Sequence, residues 1–192
     1  MCPESIKQKL IDKTIEVIAK EGIDKTTTKA LTADTGVNEG YIYRYFSGKE
    51  GLLSETFDML DEELVSKTLQ YIDVMYMENL DYELRCRVYF EAVWKFLLGN
   101  SDKCLAFIRY YYSPYFNKYS IETHKQRYAP LLNKISEAFK EEANVWMLLK
   151  HMLNIMLDFS IRVFNGEVPD DADTAEHVFR LVYNSVNQYF KN

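Results

Sequence analysis

The chain has 192 residues, 47% of them apolar, which is enough to build a packed core and excludes a disordered chain. Seven Gly and four Pro are too few for many short strands joined by tight turns, so the composition points to an all-α fold. The net charge of −6 excludes a generic polyanion binder, and it is unevenly spread. Residues 1–50 hold eight basic and eight acidic side chains, so the whole excess falls on the remainder.

In chain order, Ile6, Leu10, Ile11, Ile15, Val17 and Ile18 form a helical stripe that Gly22 closes. Thr26-Thr27-Thr28 offers N-cap hydroxyls for a second helix of roughly eight residues. Gly36 ends that helix, and Asn38 can cap a third running from Glu39 to about Phe46. Ser47-Gly48-Lys49-Glu50 reads as a capping box that opens a long fourth helix through Leu52, Leu53, Phe57, Leu60 and Leu64. Further helices are expected near 81–98, 102–112, 121–142, 144–165 and 172–190, with Pro130 kinking or restarting the third of these. The count is about nine.

Other chemistries find little footing. Cys2, Cys86 and Cys104 are scattered and odd in number, which suits reduced thiols in a cytoplasm. His124, His151 and His177 show no metal-ligand spacing, so neither metal nor cofactor is expected. The N-terminus lacks the pattern of a signal peptide. Residues 145–164 are long enough to span a membrane, but Lys150, His151, Asp158 and Arg162 make them a buried helix instead. A small helical enzyme would need a nucleophile–base pair, a metal cluster or a phosphate loop, and none is visible.

Two short helices joined by a Gly-containing turn form a DNA-reading unit. In the third helix Ile42 and Phe46, with Val37, mark an inward face. Gly40 and Arg44 lie opposite, flanked by Tyr41 and Tyr43. A small residue, a cation and two phenols suit a major groove, where Arg can pair with guanine and Tyr can reach phosphates. A helical adaptor that binds only proteins would not require this outward set.

Thr26-Thr27-Thr28, Leu31, Gly36-Val37-Asn38, Gly40, Ile42-Tyr43-Arg44-Tyr45-Phe46, Lys49-Glu50 and Leu52 resemble the N-terminal signature of the TetR-type repressor family, over about residues 8–60. The resemblance implies a three-helix DNA-binding domain over 1–50 and a larger helical domain over 51–192 that binds a small effector and dimerises. It implies that Thr28 and Lys29 meet phosphate or a neighbouring base. Gly40, Tyr41 and Arg44 would face base edges, and Tyr43, Tyr45 and Lys49 the DNA backbone. Asn38 caps the reading helix, and Glu39 accepts from cytosine N4 or caps the helix dipole. Thr14, Thr32 and Thr35, with Lys13, stand where the family favours Ala. The threonines can bond back to helix carbonyls. The implied partners are palindromic double-stranded operator DNA, an unidentified small effector and a second copy of the chain.

Trp94, Phe107, Tyr110, Tyr111, Tyr115 and Tyr128 supply aromatic walls and polar tips for an effector pocket, or simply fill a core. Asp158 with Glu91, or Arg162 with Arg109, could meet a ligand of either charge. Lys150, Asn154, Asp158 and Arg162 form one polar stripe on a helix otherwise apolar nearly all round. Trp146, Leu149, Leu153 and Leu157, with Val178, Phe179, Val182 and Val186 of the last helix, are expected to pair with their mates in a dimer seam.

Overall fold

The computed structural model describes residues 3–191, so Cys2 lies outside the described residues. Among the described residues there are nine α-helices and no strand. They are α1 (Pro3–Glu21), α2 (Thr28–Thr32), α3 (Gly40–Phe46), α4 (Lys49–Tyr71), α5 (Tyr82–Leu98), α6 (Ser101–Tyr111), α7 (Ile121–Ser136), α8 (Val145–Phe164) and α9 (Ala172–Val186). No described helix, α8 included, is long and apolar enough to cross a membrane.

Three expectations about helix ends need correction. The second helix holds five residues rather than eight, because the chain turns over Asp34 and Gly36, both at positive φ. The capping box does not form. Ser47 instead ends α3 in the left-handed conformation, with its N–H on the Tyr43 carbonyl. Pro130 sits inside α7, which runs through it to Ser136 without a restart.

The residues divide into two compact units, one drawn from Met1–Glu63 and Asp102–Gln126, the other from Leu64–Ser101 and Arg127–Asn192. This division differs from a boundary at residue 50. α2 and α3 share their unit with the first part of α4, most of α6 and the first turns of α7.

In the first unit Leu10, Ile15 and Ile18 of α1, Leu31 of α2, Ile42 and Phe46 of α3, and Leu52, Leu53 and Phe57 of α4 are all buried. Three threonines in this unit do bond backwards. Thr14 donates to the Leu10 carbonyl at 2.7 Å, Thr32 to Thr28 at 3.0 Å and Thr35 to Thr32 at 2.8 Å, so each hydroxyl is satisfied where Ala would have none. Arg109 of α6 donates to the carbonyls of Ile18 and Ala19 at 2.7 and 2.8 Å. A cation thereby adds to the Gly22 N–H on the Ile18 carbonyl and bonds the Ala19 carbonyl beside it, at the negative end of α1. Asp61 of α4 and His124 of α7 are both buried and meet at 3.0 Å. The rings of Phe57, Tyr111 and Phe116 pack around that imidazole.

The second unit packs α5, α8 and α9 around Ile72, Tyr128, Leu131, Ile135, Phe139, Leu149, Leu153, Val186 and Phe190. The chain's last turn is pinned to the end of α7 by a bridge between Phe139 and Phe190, with Lys140 N–H on the Tyr189 carbonyl at 2.8 Å.

Gly51 is the tightest point of the fold. A Cβ there would stand 1.8 Å from the carbonyl oxygen of Phe46, which is backbone and cannot step aside. Gly51→Ala is therefore expected to lower stability by about 3 kcal/mol or more, as overpacking against rigid backbone does. Urea denaturation of the full chain followed by circular dichroism measures it.

Candidate nucleic-acid interface and effector cavity

The α2–α3 turn is built from short-range bonds. Thr27 caps α2 by accepting from Ala30 N–H at 3.1 Å. Thr35 Oγ1 accepts from Val37 N–H at 3.0 Å across the Gly36 bend. Asn38 Oδ1 accepts from Gly40 N–H at 2.8 Å, which is the capping role expected of it. A Cβ on Gly40 would lie 3.2 Å from that oxygen, so the glycine gives the cap its room.

The seven residues of α3 present two faces. Ile42 and Phe46 are buried, while Gly40, Tyr43 and Arg44 are exposed, Tyr43 by 63%. Tyr41, expected outward beside Tyr43, is half-buried and stacks on Tyr45 with ring centroids 5.7 Å apart. The Arg44 guanidinium lies 5.6 Å from the centre of the Tyr45 ring. Tyr45 thus contacts both half-buried Tyr41 and exposed Arg44. Lys29 is exposed on α2. Thr28 donates to the Glu39 carboxylate, tying the start of α2 to the start of α3. Lys49 opens α4 half-buried, donating to the Tyr115 hydroxyl at 3.3 Å and lying over that ring.

Residues 10–56 match the family described as bacterial regulatory proteins, tetR family. This N-terminal segment belongs to that family. The match covers most of α1, all of α2 and α3, and the first turns of α4. The chain is also similar to an HTH-type transcriptional regulator BetI of Vibrio parahaemolyticus serotype O3:K6 (strain RIMD 2210633), 36% identical over 64 residues. That stretch is 33% of this chain and spans only 32% of the relative's length. Among solved structures, a TetR family transcription regulator from Marinobacter aquaeolei VT8 superposes with a TM-score of 0.77 at 16% identity, over 95% of each chain. The regulator FadR from Bacillus subtilis, solved in complex with stearoyl-CoA, gives a TM-score of 0.69 at 19% identity, over 91% of this chain and 96% of that one. At such identities the likeness shows the fold: an N-terminal helix-turn-helix and a helical remainder.

The second unit encloses a cavity of about 70 Å³ between α5, α8 and α9, bordered by Cys86, Phe90, Met152, Met156, Phe179 and Tyr183 among others. None of the side chains expected to form an effector wall lines it. Phe107 and Tyr110 stack on Phe57 in the core of the first unit, at 5.2 and 4.7 Å. Tyr111 packs on Phe116, and Tyr115 meets Lys49. Trp94 is buried against Phe90, and Tyr128 is buried against Trp146. Asp158 and Arg162 pair with each other at 2.9 Å on the exposed side of α8. Trp94, Phe107, Tyr110 and Tyr128 are thus core, while Tyr111 and Tyr115 are half-buried at its edge.

Of the side chains expected at a dimer seam, Leu149, Leu153, Leu157, Val178, Phe179, Val182 and Val186 are buried within the chain, and Trp146 is half-buried against the same core. The apolar side chains that α8 and α9 leave outward are Met147 and Leu181, 66% and 50% exposed. A helix apolar nearly all round does not reveal which face turns inward.

Cys86 and Cys104 are buried or half-buried, and burial pushes each thiol up to about 12, so both stay neutral and unreactive. At the surface of α5 and α9, Arg87 bonds Glu176, and Arg180 bonds both Glu83 and Glu176 at 2.7 Å. The two guanidinium partners pull the Glu176 carboxyl down to about 2 from 4.5. A lowered folded pKa means stabilisation that is complete above the unfolded value and is lost as pH falls through the folded one. Stability is thus expected to decline from about pH 5 toward pH 2, and Glu176→Gln is expected to flatten part of that decline. Thermal melts of both proteins across this range provide the check.

Proposed function

We propose that this chain is a transcription regulator that binds operator DNA as a homodimer and releases it when a small molecule occupies the second unit. One observation carries the DNA half: α3 holds Ile42 and Phe46 inward and thereby fixes Tyr43 and Arg44 outward, inside the segment that matches the tetR family. Arg44 donates to guanine O6 and N7, with Gly40 allowing close approach and Tyr41 contacting a neighbouring base. Tyr43, Thr28, Lys29 and Lys49 hold phosphates, Lys49 at a helix N-terminus that itself favours anions. Tyr45 acts by buttressing Tyr41 and Arg44, and Asn38 by capping α3. Glu39, bonded to Thr28, orients that hydroxyl at the entry of both helices.

Residues 1–50 carry the DNA-reading function, and residues 51–192 carry effector binding and dimerisation. The seam is assigned to the outward sides of α8 and α9 around Met147, Ile155 and Leu181, in place of the buried side chains. Two recognition helices then sit about one DNA turn apart, roughly 34–36 Å, on a palindromic site. The bound state of FadR with stearoyl-CoA supports an effector role for this fold. The cavity between α5, α8 and α9 is its site here, in a cytoplasmic protein. The effector's leverage is limited to its differential affinity for the two states.

Selection of bound DNA from a random pool yields the operator and its half-site spacing. On that operator Arg44→Ala is expected to lose affinity about tenfold or more and to relax the base preference at one position. Tyr43→Phe is expected to weaken binding a few-fold on all sequences, with affinity falling steeply as salt rises. Unchanged affinity in both variants would leave the helical adaptor as the better description.

A further inference from the structure

The cavity of the second unit has a one-sided chemistry. No acidic, basic or imidazole side chain lines it. Its polar tips are the Cys86 thiol and the hydroxyls of Tyr76, Tyr89 and Tyr183. Two of those phenols are already engaged: Tyr76 donates to the Lys134 carbonyl, and Tyr89 bonds Thr68. The thiol stays neutral and offers no counter-charge. A charged group entering here would lose its water and meet no ion in exchange.

The nearest charged cluster is also closed to a ligand. Arg87 lies 4.2 Å from the centre of the Phe179 ring, which lines the cavity, but its guanidinium is committed to Glu176 and Glu83. Arg180 is held by the same two carboxylates. Every charge in this group has a partner of opposite sign.

One polar atom stands apart. The Tyr82 hydroxyl is buried and has no hydrogen-bond partner. Tyr82 is not itself a lining residue: its ring packs on Phe190, which is, at 4.6 Å, and its hydroxyl lies within electrostatic reach of Cys86, Tyr183 and Tyr76, which also line the cavity. A buried hydroxyl left unpaired is destabilising, and a ligand oxygen that reaches it removes that penalty. The cavity of about 70 Å³ is small, yet Met75, Met152 and Met156 are among its walls. Unbranched thioether side chains can repack to widen it.

We propose that this cavity takes an uncharged, mainly hydrocarbon ligand with a single hydroxyl or carbonyl oxygen, which accepts a hydrogen bond from Tyr82. The proposal rests on assigning the effector site to this cavity. The test uses the full chain and three probes of equal length: 1-decanol, decanoate and decyltrimethylammonium, titrated by calorimetry. Decanol is expected to bind, and both ions at least tenfold more weakly. Tyr82→Phe is expected to weaken decanol about fivefold, the loss of one neutral hydrogen bond. Met152→Trp, which fills the void, is expected to abolish binding. Circular dichroism checks that both variants fold, and Tyr82→Phe alone suffices if the larger substitution does not. Tighter binding of either ion, or a decanol affinity untouched by Tyr82→Phe, overturns the proposal. A gel shift with decanol separates the two ideas: binding in the cavity with unchanged operator affinity supports the ligand chemistry and overturns the switch.

Discussion

The end of α3 and the beginning of α4 compete for one volume, and much of the first unit's exposed face depends on how that competition is resolved. A helix of seven residues has no stability of its own, since nucleation is costly and only a few hydrogen bonds reward it. It persists here because Ile42 and Phe46 are buried and because the chain reverses within two residues. Ser47 and Gly48 both adopt positive φ, and Gly51 then lets α4 pass against the Phe46 carbonyl. That approach fixes the angle at which Tyr43 and Arg44 are presented.

Around this junction the first unit is held by polar ties of long sequence range. Arg109 satisfies the last carbonyls of α1, and Asp61 joins His124 in a pocket of aromatic rings. A buried carboxylate–imidazole contact of this kind specifies one arrangement, because either group would be costly to bury without its partner. Through these bonds α6 and the start of α7 are mechanically part of the unit that holds α1, α2 and α3, so a displacement of either acts on α1 and α4 directly.

The second unit follows a different logic. α8 and α9 spend their most apolar faces on their own core, and their charged side chains pair along the surface. What is left inside is an ion-free void, and what is left outside is a modest apolar strip. Under the proposed function the same two helices would meet a ligand on one side and a second copy on the other, and occupancy of the interior would bias the spacing of the two copies.

Local chemistry was legible in the sequence. Helical periodicity placed all nine helices, Thr27 and Asn38 capped where expected, and Thr14, Thr32 and Thr35 bonded back along their helices. The two-faced α3 was legible for the same reason: each of these features involves residues within a turn or two of each other. Spatial relations were not legible. The Ser47 box failed because the Tyr43 carbonyl claimed the Ser47 N–H and Gly51 had to clear Phe46. Phe107 and Tyr110 are core, and most apolar residues of α8 and α9 face inward, since hydrophobicity records that a side chain is buried but not against what. The sequence by itself determined the helices and the chemistry of the DNA-reading face. Only the tertiary structure decided where the void lies and which sides of α8 and α9 remain for a partner, because both depend on how helices distant in sequence pack together.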